Sequence, residues 1–282
     1  MEKDKATLTF KIGGTLEINR LGYGAMQLTG KGVFGDIEDR ESAKEVLRQA
    51  IALGVNFIDT AEAYGPATNE ILIAEALHPY EAGVIIATKG GFRRPGPAEW
   101  IPNGDPGFIR ENIEDSLKRL KVETIDLWQL HRVDPEVPLE KTLEPVAAAV
   151  KAGKIRYVGL SEVTVAQIEQ AREILPIVSV QNLYNLSDRK WEDVLDYTAA
   201  NDLAFIPWFP LASGPAAMAD KLADIARKHN ATVAQVALSW LLKRSPNILL
   251  IPGTKSVAHL EENMQATKVN LSEEDFEILS KQ

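Results

Sequence analysis

Asn56-Phe57-Ile58-Asp59-Thr60-Ala61-Glu62-Ala63-Tyr64-Gly65, with the helical pattern of residues 68–77 behind it, reads as strand, loop and helix in direct succession. A short apolar run ends in an acid, and five positions later a tyrosine sits in a loop punctuated by Gly65 and Pro66. Apolar runs this short, bounded by turn residues, are read as buried strands. The unit therefore puts a carboxylate and a phenol at one edge of a buried strand, within reach of each other across a small cavity.

Outward from this unit the same pattern repeats. Strand-like runs at 21–23, 56–60, 84–89, 125–131, 157–161, 178–181, 204–207 and 248–251 alternate with helical patterns. The helices are expected at 39–53, 68–77, 108–120, 139–152, 165–174, 191–200, 218–229 with 233–243, and 257–265, with one more at 273–280. Strands that are apolar throughout and separated by helices form a parallel sheet covered on both faces. Eight such repeats close into a (β/α)8 TIM barrel, an α/β fold whose catalytic groups lie at the carboxyl ends of the strands. Before it, Thr7 to Phe10 and Leu16 to Ile18 flank Gly13-Gly14 as an N-terminal β-hairpin, and the additional helices fall near the C-terminus. The alternative, an open doubly wound sheet, needs a glycine-rich dinucleotide loop after its first strand. Gly22-Tyr23-Gly24-Ala25-Met26-Gln27 lacks the third glycine and does not open a helix. No linker or low-complexity tract divides the chain, so residues 1–282 are expected to form one domain.

Composition excludes several classes. The chain is 45% hydrophobic and carries a formal charge of −9 with no basic cluster, which argues against a nucleic-acid surface. Without cysteine there is no disulfide and no thiolate chemistry. His78, His131, His229 and His259 lie far apart without ligand spacing, so no metal is expected. The start lacks a signal-peptide core and no apolar run reaches spanning length, so no membrane partner and a cytoplasmic location are expected. The oligomeric state is open, a monomer included.

In a barrel, the last residue of each strand is informative. The second strand ends at Asp59, the third at Lys89 and the fourth at His131, all on the rim that holds Tyr64. A phenol titrates near pH 10 and gives up its proton poorly at neutral pH unless a cation stabilises the phenolate. Lys89 is placed to be that cation, with Asp59 keeping the ammonium charged. His131 can hydrogen-bond a substrate oxygen. Together these groups suit proton delivery to a carbonyl oxygen while hydride arrives at carbon. Taken singly, each has an ordinary explanation: a strand-end acid, a surface lysine, a packed tyrosine, a structural histidine. Lys89 is the exception, because a charge ending an apolar strand is costly unless paired.

With these residues in order, the sequence resembles the aldo-keto reductase family. The resemblance spans nearly the whole chain and rests on the 56–65 stretch, Ala87-Thr88-Lys89, Asp126-Leu127-Trp128-Gln129-Leu130-His131, residues 153–161 and Ile251-Pro252-Gly253-Thr254. It implies NADP(H)-linked reduction of small aldehydes or ketones, with Asp59, Tyr64, Lys89 and His131 as the catalytic tetrad and Tyr64 as general acid. It places Gly24, Ala25 and Met26 beside the cofactor, and Ser161, Glu162 and Gln181 at its carboxamide. Glu162 departs from the family's Asn: a carboxylate accepts from an amide nitrogen but cannot donate to its oxygen. Trp208 falls where a ring stacks on the nicotinamide, although its neighbours Phe205 and Phe209 also allow a core role. Leu211 and Ser213 map to the pyrophosphate.

The adenosine end is implied at Gly253, Thr254, Lys255 and Ser256, where amide donors, a helix N-terminus and a lysine suit a 2′-phosphate. His259 stands where many members carry Arg, and Glu262 and Asn263 match adenine contacts. The short 212–217 loop implies little covering belt. The carbonyl substrate is expected against Met26, Phe92, Trp100 and Arg132, with Arg132 either drawing an anionic substrate or serving as a solvated rim charge. Two other readings stand beside the reductase. One is an NADP(H)-binding sensor or accessory protein with little turnover. The other is a Schiff-base enzyme with Lys89 as nucleophile, which the pairing with Asp59 disfavours because a nucleophilic lysine must be neutral.

Overall fold

The computed structural model describes residues 8–211 and 216–281. Strands β1 (Thr9–Ile12) and β2 (Leu16–Asn19) form the antiparallel hairpin, turning through Gly13 and Gly14 at φ +58° and +76°. Thr7, included in the expected hairpin, lies outside the described residues.

The repeats follow as β3 (Tyr23–Gly24), α1 (Arg40–Ala52), β4 (Phe57–Asp59), α2 (Thr68–Leu77) and β5 (Ile85–Gly90). A second small hairpin, β6 (Phe92–Arg93) with β7 (Ile101–Pro102), precedes α3 (Pro106–Leu120) and β8 (Ile125–Leu130). Then come α4 (Leu139–Lys151), β9 (Ile155–Ser161), α5 (Val165–Arg172), β10 (Ile177–Gln181), α6 (Glu192–Ala200) and β11 (Ala204–Phe205). The chain continues through α7 (Ala216–Lys228), α8 (Val233–Arg244), α9 (Val257–Met264) and α10 (Glu273–Ser280).

Seven strands pair in parallel in the order β11-β10-β9-β8-β5-β4-β3. Segment 248–251 closes the ring as the eighth strand. On one side Leu249 N donates to Phe205 O at 2.9 Å; on the other Leu250 N donates to Arg20 O at 2.8 Å. The isolated parallel bridges Phe205↔Ile248 and Leu21↔Leu250 mark the same closure.

Alternation along the strands sorts side chains between the barrel interior and the helical layer. Ile58 packs outward in the cluster holding Val46, Leu47 and Leu72, while Phe57, Ile85, Ala87 and Leu127 pack inward. Ile12, Leu16 and Ile18 of the hairpin join that inner cluster, so the hairpin plugs one end of the barrel. Counting two residues on from these inward positions gives Asp59, Lys89 and Gln129, which face the opposite mouth.

Helix starts differ from the expected ones where a cap was counted as helix or Pro106 was not. Asp39 is the N-cap of α1, accepting from Ser42 N at 2.9 Å. Asp105 caps α3 through Phe108 N at 2.9 Å, and Pro106 takes a first-turn place where its missing N–H costs nothing. Ala216 and Ala217, expected in a loop, begin α7. No helix among the described residues is long and apolar enough to cross a membrane. No group of three or more His, Cys, Asp or Glu among them is placed to hold a metal ion.

Candidate active site

Strand register decides which side chains meet at the mouth. Asp59 pairs with Ala87, Lys89 with Gln129, Gln129 with Gly159, and Ser161 with Gln181. Gly159 leaves room for these larger neighbours: a Cβ there would fall 2.1 Å from Ser179 Oγ. The Tyr64 loop is pinned from both sides. Glu62 N donates to Lys89 O at 3.0 Å, and Gly65, at φ +89°, donates to Val33 O at 3.2 Å and accepts from Gly35 N at 2.9 Å. Glycine is required at position 65, since a Cβ would meet Thr68 Oγ1 at 1.9 Å.

The Lys89 ammonium is fully buried. It donates to Asp59 Oδ2 at 2.6 Å, to Thr60 O at 2.8 Å and to Tyr64 Oη at 3.3 Å, which accounts for all three of its hydrogens. Asp59 Oδ1 accepts from Gln181 Nε2 at 2.9 Å and Gln129 Nε2 at 3.4 Å. Burial alone would lower the Lys89 pKa, but the Asp59 carboxylate and the phenol beside it leave it raised. A lysine held charged in this way is a poor nucleophile, so the Schiff-base reading loses its basis.

Burial pushes the Tyr64 hydroxyl above its ordinary value, and the ammonium offsets this only in part. Lys89 pulls the phenol toward proton loss, but desolvation outweighs it, and Tyr64 rests as a neutral acid. His131 lies one residue beyond β8, held by its N–H to Gly90 O at 2.9 Å. Burial first, then Lys89, Arg132 and Arg94, hold its imidazole well below the usual range, hence neutral. Its ring stands edge-on to Tyr64 at 5.7 Å and to Phe92 at 4.7 Å, and its buried Nδ1 has no hydrogen-bond partner.

Asp59, Tyr64 and His131, with Lys89 buried behind them, open onto a cavity of about 720 Å³, within the range of small-molecule sites. Asp59, Tyr64 and His131 line it together with Phe92, Trp100, Arg132, Ser161, Gln181, Trp208 and Leu211. Gly24, Met26 and Gly253 line it as well. Gly24 and Gly253 are required by close backbone approach there: a Cβ on Gly24 would meet Ile251 O at 2.6 Å, and one on Gly253 would meet Gly24 O at 2.7 Å. Trp208 is therefore a cavity wall and not core, and Arg132 is partly buried, not a solvated rim charge.

Other expected residues fall elsewhere. Ala25 is buried in a short 3-10 helix (Ala25–Gln27), where its carbonyl accepts from Asn69 Nδ2 at 3.0 Å. Glu162, at φ +54°, turns toward the protein: its Oε1 accepts from Leu183 N at 2.6 Å and Trp208 Nε1 at 2.7 Å, fixing the indole. Gln181, expected at a carboxamide, is engaged with Asp59. Thr254 is buried, accepting from Tyr23 Oη through its carbonyl at 2.5 Å and from Ser256 N through its hydroxyl at 3.1 Å. Ser256 caps α9 through His259 N at 3.4 Å, with Lys255 and His259 exposed, Glu262 half-buried and Asn263 buried. Lys255, Ser256, His259, Glu262 and Asn263 do not line the cavity. Ser213, and the 212–215 part of the expected loop, lie outside the described residues.

Three polar residues at the site escaped the sequence reading. Gln129 shares the Asp59 carboxylate. Gln27 lines the cavity and donates to Gly253 O at 3.1 Å. Arg94 donates to the carbonyls of Glu99 (3.0 Å), Ala63 (2.9 Å), Gly32 (3.2 Å) and Pro97 (3.1 Å), and its guanidinium lies 3.4 Å from the centroid of the Trp100 ring. It joins the Tyr64 loop to the aromatic wall. Gln129 alone carried a signal, being a polar residue two places before His131 in the apolar end of its strand, Leu127 to Leu130.

The sequence profile of the aldo/keto reductase family matches residues 20–281. An uncharacterized oxidoreductase of Schizosaccharomyces pombe is 50% identical over 269 residues, covering 95% of this chain and 87% of its own. Pyridoxine 4-dehydrogenase of Escherichia coli is 46% identical over 272 residues, covering 94% and 95%. An aldo/keto reductase from Klebsiella pneumoniae, solved in complex with NADP and acetate, superposes with a TM-score of 0.82 at 25% identity, covering 97% of this chain and 94% of that one. The chain is thus an oxidoreductase-fold barrel of known lineage, and it belongs to the aldo/keto reductase family.

Proposed function

We propose that this protein, acting as one barrel domain in the cytoplasm, reduces small aldehydes and ketones to alcohols with NADPH, Tyr64 delivering the proton. The observation that carries this reading is the Lys89 ammonium held between Asp59 Oδ2 at 2.6 Å and Tyr64 Oη at 3.3 Å at the base of the cavity. A reduced nicotinamide, when bound, supplies hydride to the carbonyl carbon. The NADP complex of the Klebsiella relative supports that choice. So does the fit of the cavity, which offers the flat face of Trp208, the Ser161 hydroxyl and a glycine-lined side at Gly24 and Gly253.

The chain's own groups divide the remaining work. His131, neutral and buried, orients the carbonyl oxygen without competing for the proton. Tyr64 transfers its proton to that oxygen as negative charge develops there. The phenolate left behind is stabilised by Lys89, whose charge Asp59 maintains, and is reprotonated from solvent after the alcohol leaves. Aromatic walls at Phe92, Trp100 and Trp208 exclude water and favour flat substrates. Since pyridoxine 4-dehydrogenase is 46% identical, pyridoxal, itself an aromatic aldehyde, belongs in the substrate class.

The test is a panel of aliphatic and aromatic aldehydes, pyridoxal included, with NADPH and NADH compared at 340 nm. Turnover with NADPH on several members supports the reading. Tight nucleotide binding with no turnover on any of them would replace it with the sensor role.

A further inference from the structure

Three cations surround His131, and their hydrogen-bond inventories differ. Lys89 has spent its three hydrogens on Asp59, Thr60 O and Tyr64. Arg94 has spent its fork on four backbone carbonyls. Arg132 is different. Its Nη1 donates to His131 O at 2.6 Å and Ser161 Oγ at 3.0 Å, which fixes the guanidinium, while Nε and Nη2 make no hydrogen bond among the described residues.

No carboxylate forms an ion pair with Arg132 among the described residues. Glu162 is the acid that acts on it electrostatically, and the Oε1 of Glu162 is occupied by Leu183 N and Trp208 Nε1. The residue lines the cavity between aromatic faces, its guanidinium carbon 5.7 Å from the Phe92 ring centroid and 5.8 Å from that of Trp208. A partly buried guanidinium with a free Nε/Nη2 edge matches the two oxygens of a carboxylate and is costly to leave unpaired. In a chain of net charge −9, an anion is drawn to this cavity only by such a local centre.

We propose that Arg132 is the substrate-selecting residue of this site, binding an anionic oxygen group carried on the same small molecule as the aldehyde. The inference rests on the carbonyl-reducing reading above. It names a substrate class within it: flat aldehydes bearing a carboxylate or an equivalent anionic oxygen, seated between Phe92 and Trp208.

The test compares wild type with Arg132→Met and Arg132→Lys. One readout is kcat/KM for 3-carboxybenzaldehyde relative to its neutral methyl ester. The other is the affinity of the NADP-loaded protein for benzoate relative to benzamide, followed by tryptophan fluorescence. Wild type is expected to prefer the anion in both. Arg132→Met should reduce each preference about tenfold or more, the loss of a charge-assisted hydrogen bond, with Arg132→Lys between them.

Unchanged preferences in Arg132→Met would overturn the proposal. So would an equal loss for anionic and neutral partners accompanied by weakened NADPH affinity, which would place Arg132 on the nucleotide instead. If neither aldehyde is reduced yet benzoate binding depends on Arg132, the anion site stands and the reductase reading falls. If reduction proceeds while the preference ignores Arg132, this inference falls alone.

Discussion

Lys89→Met removes the positive charge that faces Asp59 in the barrel interior. The ammonium is 0% exposed, the carboxylate 3% exposed, and they meet at 2.6 Å. At that separation Coulomb's law with an effective dielectric near 20 gives roughly 6 kcal/mol of gross attraction, much of it offset by desolvation. The measurable cost of Lys89→Met is the stranded carboxylate, left with only Gln181 and Gln129 as donors. Breaking a buried pair from one side costs about 3–5 kcal/mol.

Removing both charges, in Asp59→Asn with Lys89→Met, strands no charge and should cost less than Lys89→Met alone. Calorimetry at neutral pH reads both. At roughly 2–4 °C per kcal/mol for chains of somewhat smaller size, the single variant should melt about 5–15 °C below wild type, with the double variant recovering part of that. A single-variant loss under about 1 kcal/mol, or a double-variant loss equal to the sum of the singles, would refute the idea that the pair is electrostatically coupled in a dry interior.

Glu62 offers a pH test: burial pushes its carboxyl up to about 7, and its Oε2 is buried without a partner. Its folded pKa lies above the unfolded value, so its favourable contribution is full below pH 4.5 and lost as pH rises through about 7. Glu62→Gln should therefore flatten the stability profile across that window, by roughly 2–3 kcal/mol in urea unfolding; a profile identical to wild type contradicts it. Arg94→Met should raise KM for aldehydes about tenfold by freeing Trp100 and the Tyr64 loop, and Arg94→Lys should not restore it. Steady-state kinetics that leave KM unmoved would deny Arg94 this positioning role. Glu162→Ala should shift tryptophan emission and weaken nucleotide binding by about 1–2 kcal/mol, because the Trp208 indole loses its acceptor. Emission and affinity both unchanged would show that the indole is held by packing alone.

What the sequence revealed, and what it hid, follows from how far each interaction reaches along the chain. Barrel strands are buried on both faces, so an ionisable residue at or just past the end of one stands out; Asp59, Lys89 and His131 were legible for that reason. Arg94 was not, because its four partners are backbone carbonyls, which leave no side-chain signature. The partners of Glu162 and Gln181 depend on segments 46 and 122 residues away, beyond any spacing rule. Strands β6 and β7 are two residues each, too short to carry a period. The net direction at Tyr64 was not legible, because a neighbouring charge can be read from residue types whereas the degree of desolvation depends on packing.

Single-turnover reduction in NADPH-saturated wild type and Tyr64→Phe bears on the proton-delivery claim with the fewest intermediate steps. The ring, its packing against His131 and the nucleotide site are kept; the hydroxyl between Lys89 and the carbonyl oxygen is lost, and with it the transferable proton. The rate should fall about 100-fold or more, as expected for loss of a general acid, with NADPH affinity unchanged. A Tyr64→Phe rate within a few-fold of wild type would mean that the proton comes from elsewhere, and that the phenol beside Lys89 is not the acid.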